Sequence, residues 1–151
     1  MSEVKTHKVK DIFVEGAIPA SFISESIAKH STRTDIGAHE IFLGQVRADA
    51  IDGRAVVAIT YSAYREMALE RMTGLREEAF TRWPTMTCLH VHHSLGTIKT
   101  GELCFMVFAS APHRQQAREA VAWVVDAIKS ELPIFGKEVL GDGDHLWKTN
   151  S

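Results

Sequence analysis

Apolar positions recur along this chain in two rhythms, every second residue and every third to fourth, and the places where one gives way to the other predict its elements. In residues 66–83 Ala68, Met72, Leu75 and Ala79 keep helical register, and Pro84 ends the run. Ala117, Val121, Val124, Ile128 and Leu132 draw a second apolar stripe along about five helical turns, with Pro133 as its stop. Ser110-Ala111-Pro112 precedes it and is expected to supply a capping hydroxyl and a proline suited to a first turn. A shorter amphipathic helix is expected after Pro19, over ASFISESIAKH, burying Phe22, Ile23 and Ile27.

The alternating stretches predict strands at 10–15, 37–48, 56–61, 86–93, 103–109 and 145–149. In the second of these, Ile41, Leu43 and Gln45 share one face and Phe42, Gly44 and Val46 the other, with Arg47 closing it. Asp52-Gly53 carries a tight-turn signal, so the 56–61 strand is expected to return along its predecessor as a hairpin. Gly141-Asp142-Gly143-Asp144 reads as a turn before the last strand. The order β α β β α β β α β places strands in adjacent pairs between helices. That pattern predicts an α+β fold with a mainly antiparallel sheet and three helices, in one domain over 1–151.

Composition narrows the function classes. The 151 residues are 45% apolar and 24% charged, enough for one buried core, and the formal net charge is −2. Charges of both signs are interspersed, so the broad basic field of a nucleic-acid binder is missing. No apolar run reaches membrane-spanning length, and MSEVKTHKVK lacks the apolar segment of a signal peptide. The expected setting is the cytoplasm, without membrane or nucleic-acid partners. Cys88 and Cys104 lie far apart in predicted strands and are expected to be buried structural thiols. A chain without an exposed thiol pair is a poor sulfur donor by itself.

Among polar residues, His90, His92 and His93 cluster in one strand, and His90 and His92 share a face. No further ligand stands at a recognisable metal-site spacing, so the histidines are expected to be partly exposed strand residues and no metal or cofactor is expected. The cations carry more information. Arg47 follows a glycine-containing strand, His113 and Arg114 open a helix where unpaired N–H groups favour an anion, and Lys129 and Lys137 flank Pro133-Ile134-Phe135-Gly136. Together they make an anion-binding, proton-transferring set without a paired acid.

Five segments extend that set: Phe42-Leu43-Gly44-Gln45-Val46-Arg47, His93-Ser94-Leu95-Gly96, Ser110-Ala111-Pro112-His113-Arg114, Asp126-Ala127-Ile128-Lys129 and Pro133-Ile134-Phe135-Gly136-Lys137-Glu138. In order and spacing they resemble the large, catalytic subunit of molybdopterin synthase, over about residues 9–150. The resemblance implies an α/β-hammerhead-like fold, a homodimer within a heterotetramer, and a sulfurtransferase that converts cyclic pyranopterin monophosphate to molybdopterin. The two sulfurs would come from a small ubiquitin-like subunit with a C-terminal Gly-Gly thiocarboxylate, which threads into a pocket on the large subunit.

It further implies Lys129 as the catalytic lysine, with Lys137 as a candidate second one, and substrate contacts from Gln45, Val46, Arg47, His113, Arg114, Lys129, Gly136, Lys137 and Glu138. Two positions depart from the family pattern. Gly136 stands where a second functional lysine is usual, and Ser94 where arginine is common. Gly136 is expected to mark a rearranged tail in which glycine's freedom of φ lets Lys137 reach the site. A non-catalytic phosphate- or nucleotide-binding domain, or an inactive structural subunit, would share many of these residues. Arg114 and Lys129 stand fifteen residues apart on one helix, roughly 22 Å at 1.5 Å per residue. If both serve one substrate, the pocket is composite across a two-fold dimer.

Overall fold

The computed structural model describes residues 10–148, so MSEVKTHKV and the end of the expected closing strand at Thr149 lie outside the described residues. The elements in order are β1 (Phe13–Glu15), α1 (Ser21–Lys29), β2 (Ala38–Gln45), β3 (Ala50–Ile51), β4 (Arg54–Ala63), α2 (Arg65–Arg82), β5 (Cys88–Lys99), β6 (Leu103–Ala111), α3 (Arg114–Glu131), β7 (Ile134–Leu140) and β8 (His145–Trp147). The strands form a sheet of order β2-β6-β5-β4-β7-β8, with β1 added to β5 and β3 to β4. Every pairing is antiparallel except β1 with β5.

The helical stripes bury as their spacing requires. Ala68, Met72, Leu75 and Ala79 are the buried residues of α2, and α3 buries Ala117, Val121, Val124 and Ile128 against the sheet. Apart from Ala117, these side chains share one continuous core with Leu89, Val91, Phe105 and Val107 of the central strands. Truncating one of the larger ones, as in Ile128→Ala, costs about 2–5 kcal/mol. No helix among the described residues is long and apolar enough to cross a membrane.

Several expectations are corrected. The Asp52-Gly53 turn is present, with φ of 50° and 75°, but it joins β4 only to the two-residue β3, while β2 pairs along its length with β6 at the far edge of the sheet. The β2–β6 ladder shifts register between Gly44 and Gln45, and β2 ends at Gln45, so Arg47 lies beyond the strand that it was expected to close. β5 runs on past His93 to Lys99; at Gly96, with φ of 88°, it turns from β6 and β1 toward β4. Ser110 is a buried β6 residue whose hydroxyl meets His39 Nδ1 at 2.5 Å. It therefore cannot cap α3, whose N-cap is His113, and Pro112 falls before the first helical turn. In α1, Phe22 and Ile23 pack onto a small cluster with Cys88, Met106 and Phe108, but Ile27 is 46% exposed. Residues 134–140, unassigned from the sequence, are β7, paired with both β4 and β8.

Candidate functional site

A pocket opens where Pro133 breaks α3 and returns the chain as β7. Leu132 is already extended, with ψ of 137°, and Pro133 accepts a hydrogen bond from the Tyr64 N–H. Residues from every central element line the resulting space of about 680 Å³, its mouth included: Phe42, Gly44 and Gln45 of β2, Tyr61 of β4, His93 of β5, Cys104 and Phe105 of β6, Lys129 of α3, Gly136 of β7, and Lys148 just beyond β8. Aromatic edges fix its wall. The His93 ring meets Tyr61 and Phe105 edge-on at 5.0 and 5.1 Å, and Phe42 meets Phe105 at 5.6 Å. Tyr61 donates its hydroxyl to Cys104 Sγ at 3.5 Å, and that thiol donates to the Gly44 carbonyl at 3.5 Å.

His93 is the group whose chemistry this setting changes most. It is 7% exposed, and burial pushes its pKa from 6.5 down to about 4; the hydrogen bond with Ser94 opposes the shift and the Lys129 charge adds to it. The ring is thus neutral at physiological pH. The Ser94 carbonyl, 2.8 Å from Nδ1, can only accept, which puts the proton on Nδ1 and leaves Nε2 as an acceptor. Tyr61 is pushed up, first by burial and then by its bond with Cys104, so it stays a phenol. The pocket therefore joins an ammonium, a neutral imidazole and a phenol with apolar walls.

The residues singled out from the sequence divide into three groups. Lys129, Gln45 and Gly136 line the pocket. Val46, Arg47, Lys137 and Glu138 neighbour lining residues in the chain but do not line the pocket. Val46 is a core residue, and Arg47, with a side chain 76% exposed, is held by Asp49 at 2.6 Å. Lys137 points to the opposite face of β7, where its ammonium sits 5.0 Å from the Trp147 ring centre. Glu138 is 9% exposed, and its Oε2 has no hydrogen-bond partner among the described residues. His113 and Arg114 form the third group, exposed at the other end of α3.

Gly136 has ordinary strand backbone rather than positive φ, so the expected rearranged tail is not formed. A Cβ there would come 3.2 Å from both Ile59 Cγ2 and Tyr61 Cε1, which shows that position 136 faces the pocket and position 137 cannot. His93, expected to be partly exposed, is instead pocket wall. Sequence reasoning missed Tyr61, Cys104 as a lining thiol, and Lys148. The Lys148 N–H donates to the Gly136 carbonyl at 2.8 Å, which sets Lys148 opposite Gly136 one step beyond the Lys137–Trp147 pair. Directly opposed residues share a face. A register reading of β7 against β8 would have found it.

Residues 19–131 match the model of the MoaE protein family. The chain belongs to that family. A molybdopterin synthase catalytic subunit of Pyrococcus abyssi is 40% identical over 122 residues, covering 81% of this chain and 80% of that one. Some Drosophila relatives of the same name are longer, and the chain spans about a third (32%) of their length. Among solved structures, molybdopterin synthase from Staphylococcus aureus superposes with a TM-score of 0.80 at 24% identity, covering 95% of this chain and 98% of that one. A complex of subunits 1 and 2 of molybdopterin-converting factor from Helicobacter pylori gives 0.76 at 18% identity, covering 91% and 88%. These structural likenesses establish that the MoaE-type fold extends over nearly the whole chain.

Proposed function

We propose that this chain is the catalytic subunit of a molybdopterin synthase and that the pocket at the end of α3 is where sulfur transfer takes place. The observation that carries this reading is Lys129, delivered by the last turn of α3 into a pocket walled by the family's β2 segment and closed by β7. The substrate is cyclic pyranopterin monophosphate, and the product carries two added sulfurs as a dithiolene. The sulfur arrives on the C-terminal thiocarboxylate of a small ubiquitin-like partner. The pocket's own thiol suits a wall better than a donor, since Cys104 is buried and engaged with Tyr61 and Gly44.

Lys129 is the acid of the site. Its ammonium stabilises negative charge that develops on the pterin as the thiocarboxylate sulfur bonds to one of its carbons, and it can donate a proton to the oxygen that departs. Water then cleaves the acyl–sulfur bond, leaving the sulfur on the pterin and a carboxylate on the partner. Neutral His93 offers an acceptor nitrogen in the same wall. Lys148, rather than Lys137, supplies the second pocket cation, because Lys148 shares the face of Gly136 while Lys137 is turned to Trp147. Arg47 sits at the edge as an anion guide. Its guanidinium already binds the Asp49 carboxylate, a geometry that a phosphate could take over.

Reconstitution decides the reading. The chain, a thiocarboxylated partner and the cyclic pterin should yield dithiolene product in single turnover, and Lys129→Ala should lower its formation by about 10²-fold or more while the protein complex still forms. Product formation unchanged by Lys129→Ala, or no transfer from a partner that binds, would reject it.

A further inference from the structure

On the opposite face of β5 from the pocket, three side chains converge that the proposed reaction does not use. Cys88, His90 and His92 alternate with Leu89, Val91 and His93, so the even-numbered residues face α1. There His30, the C-cap of α1, meets His90, with their Nε2 atoms 3.4 Å apart. The ligand atoms of His30, His90 and Cys88 all lie within 4.8 Å of one another.

We propose that His30, His90 and Cys88 form a binding site for a zinc ion, independent of the sulfur-transfer reading. The tautomer of His30 supports it. Nδ1 lies 2.6 Å from the Ser26 carbonyl, which can only accept, so Nδ1 carries the proton and Nε2 presents its lone pair to His90. A backbone carbonyl on the far nitrogen is the usual way in which a metal-binding imidazole is oriented. The spacing agrees too, because a tetrahedral zinc with Zn–N near 2.0–2.1 Å holds two nitrogens about 3.4 Å apart. Two imidazoles and a thiol form a donor set suited to zinc, and on binding the Cys88 thiol gives up its proton to solvent and coordinates as thiolate. His30 and His90 also line a cleft with Glu25, Lys29 and His92, which gives water or an outside ligand access to an ion held there.

The fold gives such an ion a task. α1 contains no buried residue, and its Ile27 is exposed, so apolar packing holds it only loosely. An ion bridging its C-cap to β5 would clip it to the sheet. The site escaped the sequence because His30 stands fifty-eight residues before Cys88, outside any metal-ligand spacing.

The test is Zn²⁺ titrated into chelator-treated full-length protein against a chromophoric chelator. One ion per chain is expected, and His30→Ala and His90→Ala should each weaken binding at least about tenfold. Co²⁺ in place of Zn²⁺ should give a thiolate charge-transfer band that Cys88→Ser removes. If Cys88→Ser does not fold, protection of Cys88 from alkylation by Zn²⁺ reads the same bond. Amide exchange across residues 21–30 should slow with Zn²⁺ in the parent and not in His30→Ala. Equal Zn²⁺ affinity in the parent and in a His30→Ala/His90→Ala double variant, or a parent Co²⁺ spectrum with no thiolate band, overturns the proposal.

Discussion

The two ends of α3 both carry cations, yet they differ in what the fold has built around them. At the C-terminal end Pro133 turns the chain back as β7, and the lysine of the last turn, itself exposed, stands at the mouth of a pocket walled by the aromatic and imidazole edges of Tyr61, His93 and Phe105. At the N-terminal end His113 and Arg114 stand exposed on a first turn without a side-chain cap among the described residues. One end is a pocket and the other is an open helix N-terminus. A helix is a rigid spacer, so the roughly 22 Å between Arg114 and Lys129 cannot shrink within one chain. Residues that the resemblance groups around one substrate therefore lie at opposite ends of one helix, and if both serve that substrate a second protomer is the simplest way to unite them.

The largest effect is expected at the pocket end. Lys129→Ala should lower single-turnover dithiolene formation by about 10²–10³-fold, the scale of losing a proton donor or a charge-stabilising group at a reacting centre. Binding of the partner, followed by calorimetry, should change little. A loss of less than a few-fold would make the pocket a mere groove and remove the contrast between the two ends.

Next comes the link between them. Arg114→Ala and Lys129→Ala chains, mixed and purified as heterodimers, should recover about half of the parental turnover if each site takes one residue from each protomer, because one of two sites is then intact. Activity no higher than in either parent variant, or a fully active monomer, would place both residues' roles within one chain.

The wall makes a third, smaller prediction through pH. His93 has a folded pKa of about 4, below the 6.5 of a free imidazole, so the unfolded chain takes up the proton first as pH falls. Stability from its burial is complete above about 6.5 and is lost progressively down to about 4. At pH 5 the loss should be on the order of 2 kcal/mol. Urea midpoints at pH 7 and 5 in the parent and His93→Gln measure it, and equal pH slopes in the two would show that His93 is not buried neutral.

The contrast also explains what could be read beforehand. Periodicity located α2 and α3 and named the four buried residues of α2 and four of the seven of α3, missing Ala120, Val125 and Ala127, because a helix stripe records the centre of its core face and not its full width. It could not say that β2 would pair with β6 instead of β4, since a strand's pattern carries its faces and not its neighbours. Lys129 and Gln45 were legible through the resemblance. Tyr61 and Cys104 were not, because a pocket wall made of ordinary strand residues looks like core until the strands are set side by side. The assignment of Lys137 failed for a related reason. Alone, residues 133–138 contain one lysine near the expected place, and only pairing with β4 and β8 shows which way it points.

That failure supplies the last and smallest test. In β7 the side chains alternate, so 136 and 137 lie on opposite faces. Gly136 faces the pocket with no side chain to offer, and Lys137 stacks its ammonium over Trp147. Lys148, joined to Gly136 through the backbone at 2.8 Å, lines the pocket, and its charge also lowers the pKa of Asp49, after Arg47. A cation near the mouth but outside the last turn of α3 should assist rather than drive the transfer. Lys148→Ala is expected to lower turnover about tenfold, near 1.4 kcal/mol, whereas Lys137→Ala should stay within about two-fold because an exposed cation–π contact is worth about 0.5–1 kcal/mol and only to stability. The double variant should match Lys148→Ala alone. A larger loss from Lys137→Ala than from Lys148→Ala would mean that β7 re-registers when the partner's tail enters, carrying position 137 into the pocket and 148 out of it.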